Sequence, residues 1–151
     1  MNAPATQEKS PVAVFGSFME KLKPQIARAI PSHMNADRMT RLALTAFSSN
    51  EALRECSQQS IAASIMTAAQ LGLEPGINGQ GYLIPYKGTC TFVPGWKGLV
   101  DLVARSGRAT VWTGAVRLGD EFECQLGDTP FCKHKPGDED DDTPFTHVYA
   151  I

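Results

Sequence analysis

Apolar residues first recur at helical spacing. Val12, Phe15, Phe18, Met19 and Leu22 fall on one stripe of a 3.6-residue period, and Ile26 and Ile30 continue it to Pro31. Pro24 interrupts this stripe and is expected to kink or restart the helix. A second helix is predicted from Asn35 or Asp37 to Ser48–Asn50, with Met39, Leu42, Ala43, Ala46 and Phe47 inward. A longer one is predicted from about Asn50 to Leu71, burying Leu53, Ile61, Ile65, Ala68 and Leu71. Gly72 sits where a helix C-cap is expected, and Pro75 and Gly76 reinforce the stop.

Beyond Gly76 the period changes. Tyr82–Pro85 and Thr89–Val93 read as strands joined at Tyr86, Lys87 and Gly88. Gly95–Arg105 reads as a short helix closed by Ser106 and Gly107. Ala109–Leu118, Glu121–Leu126 and Phe131–His134 read as strands, with turns at Gly119-Asp120 and Gly127-Asp128, and Thr146–Ile151 begins another. The pattern predicts an α+β fold: N-terminal helices, then a β-hairpin, a short helix and an antiparallel sheet. It also predicts a disordered segment 1–11, a helical segment 12–34 and a core 35–151. The helical segment, through Phe15, Phe18 and Leu22, is a candidate contact with a neighbouring protomer. The chain stops within the apolar run HVYAI, so the core is expected to be incomplete at its C-terminal end, as in a fragment of a longer protein.

The charge distribution alters the picture more than the composition does. The chain carries a net charge of -2, with 42% hydrophobic and 20% charged residues, ordinary for a globular domain. Between Gly81 and Arg117, however, stand five cations, Lys87, Lys97, Arg105, Arg108 and Arg117, against the single acid Asp101. From Asp120 to Asp142 there are nine acids and two bases. The basic stretch is interleaved with Tyr82, Tyr86, Phe92, Trp96 and Trp112. Aromatic faces with cations between them suit single-stranded nucleic acid, because bases stack on rings while phosphates meet the charges.

Tyr86 lies in the predicted turn beside Lys87. Trp96 and Lys97 lie at the predicted start of a helix, between Gly95 and Gly98, where unpaired N–H groups favour phosphate. The plainer alternatives are a core role for the strand aromatics, a solvated Lys97 and an Arg105 that serves a helix terminus. GINGQG, Gly76–Gly81, is not followed by the helix a dinucleotide fingerprint requires and is expected to be a flexible loop. No phosphate-binding P-loop is present.

Other chemistries find less support. Cys56, Cys90, Cys124 and Cys132 form no C-x-x-C pair and, with no secretory leader at the N-terminus, are expected to be reduced thiols. Asp120, Glu121 and Glu123, near Lys133, His134 and Lys135, are a conceivable metal-dependent nuclease set, but acids for such a site usually converge from several elements. His134 and His147 are expected to be structural, and Asp138–Asp142 a solvated acidic loop. A charge-segregated, self-assembling interaction protein is a further alternative.

LGLEPG (Leu71–Gly76), GYLIPY (Gly81–Tyr86) and TFVPGWKGLVDLVARSG (Thr91–Gly107) closely resemble the RecT family of phage and prophage single-strand DNA annealing proteins. GDEFECQLGDTPFCKHKP (Gly119–Pro136) and THVYAI (Thr146–Ile151) follow in the same order, so the resemblance runs from about Ala36 to the end. It implies an ATP-independent, non-enzymatic recombination protein of the bacterial cytoplasm. Such a protein binds single-stranded DNA and the annealed duplex intermediate and assembles as rings or filaments. It works with a 5′-to-3′ exonuclease and a host single-strand binding protein. No cofactor is required, although Mg2+ would modulate DNA binding, and no membrane association is implied. On this reading Lys87, Lys97, Arg105, Arg108 and Arg117 are phosphate contacts, and Tyr86 and Trp96 are stacking or backbone contacts. Two departures stand out: family members are much longer, and Asp138–Asp142 is unusually acidic near a DNA groove.

Overall fold

Helices dominate the first two-thirds of the molecule because their apolar stripes bury one another. The computed structural model describes residues 10–138, 140 and 142–151, so most of the segment expected to be disordered lies outside the described residues. The chain divides into two compact units, 1–105 and 106–151. The α+β architecture is as the sequence pattern predicts.

In the first unit, α1 spans Pro11–Ala29, with Pro11 in the first turn, where its missing N–H costs nothing, and Ser10 capping the N–H of Ala13 at 3.3 Å. Pro24 does not restart the helix, which runs through it as one element with Met19 and Ile26 buried on either side. One lost backbone bond is outweighed by the burial of the flanking turns. α2 spans Ala36–Ser49, and the Asn35 Oδ1 accepts from the N–H groups of Asp37 and Arg38 at 2.8 and 3.2 Å. Phe15 stacks on Phe47 with ring centroids 4.0 Å apart. Of the three residues expected to face a neighbouring protomer, Phe15 is fully buried in its own unit, and Phe18 and Leu22 are partly buried against the same core. The boundary expected near residue 35 likewise separates no compact units, since α1 packs on α2 and shares their core.

The predicted helix from Asn50 to Leu71 is two helices, α3 Glu51–Arg54 and α4 Gln58–Leu71. Ser57 breaks it: its hydroxyl caps the N–H of Ser60 at 3.2 Å, and its own N–H donates to the Gly88 carbonyl at 2.9 Å. Gly72 ends α4 at φ 66°, a left-handed cap.

The hairpin lies against α4. β1, Gly81–Tyr86, pairs antiparallel with β2, Thr89–Pro94. Lys87 and Gly88, at φ 47° and 74°, form the two-residue turn, the primed geometry that matches strand twist. Leu83, Cys90 and Phe92 face the core. The Ser64 hydroxyl donates to the Cys90 carbonyl and the Ser60 hydroxyl accepts from the Cys90 N–H, each at 2.9 Å. Ser60 and Ser64 are one helical turn apart, so one face of α4 grips one residue of β2. Opposite Cys90 stands Pro85.

GINGQG, expected to be a flexible loop, is tied into the fold by hydrogen bonds. Gly76 N–H donates to the Gly81 carbonyl at 2.8 Å and Gly95 N–H to the Gln80 carbonyl at 2.9 Å, while the Gln80 side chain accepts from Glu74 N–H. α5, Trp96–Ser106, starts against this loop.

The second unit consists of two antiparallel pairs. β3, Thr113–Arg117, pairs with β6, Phe145–Ala150, and β4, Glu121–Gln125, pairs with β5, Phe131–Lys135. Phe122 on β4 stacks on His147 and Tyr149 of β6, with centroids 5.3 and 5.7 Å away. The expected single sheet is thus two ribbons sharing an aromatic layer.

Asp120 ties the turns of this unit together. Its side chain is 4% exposed and accepts from Gly137 N–H at 2.8 Å and Arg117 N–H at 2.6 Å, with His134 Nε2 at 3.0 Å. These bonds to Gly137, Arg117 and His134 lower its pKa from the ordinary 3.8 to about 2. A carboxyl whose folded value is depressed adds stability above its unfolded value and loses it as the pH falls through the folded one. Asp120→Asn should therefore melt below wild type at neutral pH, with the gap closing as the pH falls from 3.8 toward about 2. A gap that does not vary with pH would show that the ionised carboxylate contributes nothing.

Candidate nucleic-acid interface

Strand alternation places side chains of β1 on opposite faces, and the face away from α4 is open. Tyr82, Ile84 and Tyr86 line it at every second residue, 48%, 45% and 68% exposed, with Thr91 and Val93 across the ladder. The row runs about 14 Å, four residues of strand rise, from the base of the hairpin to its tip. Lys87 projects at the tip, its Nζ 5.2 Å from the Tyr86 ring centroid. At the base, Gly79 lies between the Tyr82 hydroxyl and the Lys97 stem, 3.4 and 3.5 Å from where a Cβ would stand. Lys97 Nζ lies 5.4 Å from the ring centroid of Trp96, which is 68% exposed.

The first unit thus presents a strip of apolar and aromatic faces with a cation at each end. Each lysine rests on its neighbouring ring, a contact worth about 0.5–1 kcal/mol at an exposed site. A base stacking on a ring gains about 1–3 kcal/mol. A base offered to either ring would therefore win its face and free the ammonium for phosphate. The α5 N-terminus carries no acidic residue in its first turn, which leaves the dipole there unopposed.

The predicted contacts divide by position. Tyr86, Lys87, Trp96 and Lys97 lie on the strip. Arg105 belongs to the same unit but is engaged: its guanidinium meets Asp101 at 2.9 Å and donates to the Leu71 carbonyl at 3.0 Å, beside the Gly72 carbonyl. It serves a helix C-terminus, that of α4. Arg108 and Arg117 belong to the second unit. Arg108 is exposed, while Arg117 donates to the carbonyls of Asp140 and Thr143 at 3.1 and 3.0 Å and lies over the Phe145 ring. From sequence Tyr82 was one of five interleaved aromatics and not a chosen contact, and Ile84 was not singled out. Their signal was the i, i+2, i+4 spacing with Tyr86, which needed the strand register to become a face.

The acids of the second unit do not converge. Asp120 is occupied as described, Glu121 pairs with Lys135 at 3.1 Å, and Glu123 stands opposite Lys133. Among the described residues no group of three His, Cys, Asp or Glu could hold a metal ion. Nor is any described helix long and apolar enough to cross a membrane. Of the expected acidic loop, Asp138, Asp140 and Asp142 are exposed, and Glu139 and Asp141 lie outside the described residues.

The fold and this strip define an α+β protein with an open aromatic and basic hairpin face. The RecT family profile matches residues 37–151, and the chain belongs to the RecT family. It is 39% identical over 159 residues to Protein RecT of Escherichia coli (strain K12), an alignment covering 99% of this chain and 58% of that protein. The chain therefore spans somewhat over half the length of this curated relative.

Proposed function

We propose that the chain binds single-stranded DNA along the hairpin face and promotes pairing of complementary strands in homologous recombination. The observation that carries this is the exposed row of Tyr82, Ile84 and Tyr86, bracketed by Lys87 and by Trp96 with Lys97. Its family and its similarity to Protein RecT support the same reading. A strip that offers ring faces and charge holds DNA without reading its sequence; base pairing supplies recognition. The pairing needs no nucleotide hydrolysis and no resident cofactor, and Mg2+ modulates it by screening phosphates. Assembly into rings or filaments, a 5′-to-3′ exonuclease, a host single-strand binding protein and a bacterial cytoplasmic setting complete the proposal. Arg105, Arg108 and Arg117 are proposed as further phosphate contacts, with Arg105 and Arg117 exchanging their present partners to do so.

The test is the annealing of two labelled complementary oligonucleotides without ATP across a salt series. Acceleration that fades with salt is expected. Lys87→Asn separates charge from folding, because asparagine adopts the left-handed backbone at this turn more readily than lysine. It should fold at least as well, bind single strands more weakly and lower the salt slope by about 0.7. Unchanged affinity and slope in both Lys87→Asn and Lys97→Ala would remove the strip from the DNA path.

A further inference from the structure

Four cysteines fall into two different situations. Cys56 and Cys90 are buried in the first unit, and burial raises both thiols. Cys124 and Cys132 are directly opposed across the β4–β5 ladder, Cys124 exposed and Cys132 half-buried. Opposed residues share a strand face, here the one carrying Phe122 and His134. Both thiols line an open groove of about 390 Å3 with Leu126, Val148 and Ile151, so a small reagent can reach them.

We propose that Cys124 and Cys132 are a dithiol modification site, which a small disulfide of the oxidised glutathione class converts to a cross-strand disulfide. Opposed residues on antiparallel strands hold their Cβ atoms about 4.5–5.5 Å apart. A disulfide requires about 3.5–4.5 Å, a closure of roughly 1 Å. The connection 126–130 already holds the two strands together, so little chain freedom is lost on closure.

The exchange balances without a further reagent. The exposed Cys124 thiolate attacks one sulfur of the glutathione disulfide, forming a mixed disulfide and expelling one glutathione thiolate. The Cys132 thiolate then attacks Cys124 Sγ, the protein disulfide forms, and the second glutathione leaves. Two electrons pass from the dithiol to the reagent, and the two thiol protons go to the released glutathione thiolates. The bond would clamp β4 to β5 beside the aromatic layer.

The folded 151-residue chain, titrated with oxidised glutathione, should lose two of its four thiols. Its mass should fall by two hydrogens, and proteolytic fragments should show Cys124 joined to Cys132, reversibly with dithiothreitol. Cys132→Ser should instead retain glutathione on Cys124, because the resolving thiol is gone. Four intact thiols, a stable glutathione adduct on wild-type Cys124, or a bond to Cys56, Cys90 or another chain would each overturn the proposal. The wild-type experiment decides even if the variant fails to fold.

Discussion

Gly98→Ala should destabilise the first unit by about 2–3 kcal/mol and lower its melting temperature on the order of 10 °C. By helix propensity alone the change should help, since alanine is favoured over glycine by up to about 1 kcal/mol in a helix. Packing reverses the sign. A Cβ at Gly98 would stand 2.1 Å from the Gln80 carbonyl oxygen and 3.1 Å from Leu73 Cδ1. The first is backbone, held in place by the Gly95 N–H, so α5 must move. Moving α5 carries Trp96 and Lys97 away from the hairpin base, and affinity for single strands should fall with stability. Leu99→Ala, one residue on and half-exposed, is the comparison and should change stability by less than about 1 kcal/mol. If Gly98→Ala melts with wild type, the close approach of α5 to the loop at Gln80 is not as described.

The second large effect is on binding alone. Trp96→Ala should cost about 1–3 kcal/mol of single-strand affinity, roughly 5- to 150-fold. Being largely exposed, Trp96 contributes little to the core, so melting should barely change. The salt dependence identifies the interaction. Trp96→Ala should leave the slope intact, whereas Lys97→Ala should reduce it, because only the lysine releases a counterion. Trp96 and Trp112 are the tryptophans of the chain, so in a Trp112→Phe background the remaining fluorescence reports Trp96 directly. Quenching by an oligonucleotide is expected. Unquenched emission at saturating DNA would place Trp96 off the path.

Much of this was legible in the chain because its signals are local. The helical stripe of α1, the asparagine cap of α2, Gly72 and the alternation of the hairpin each depend on neighbours within a turn or a pair. The break at Cys56-Ser57 was hidden because Leu53 and Ile61 keep helical spacing across it, although a serine cap ahead of Ser60 was available to read. Of the exposed strip, the positions of Tyr86, Lys87, Trp96 and Lys97 were legible because turns and helix starts are exposed. The commitments of Arg105 to Leu71 and of Arg117 to Asp140 and Thr143 were not. They join positions 34, 23 and 26 residues apart, and no local period encodes such a pairing.

The grip of α4 on Cys90 has a consequence for how an open aromatic hairpin stays single. A free strand edge is a template for another chain, and apolar exposed strands are the most hazardous. In the middle of β2 the outward N–H and carbonyl of Cys90 are taken by Ser60 and Ser64. In the middle of β1, Pro85 has no N–H to offer. A third strand would therefore find no complete ladder on either side. The hairpin can hold its rings open to solvent while withholding the edges through which such surfaces aggregate.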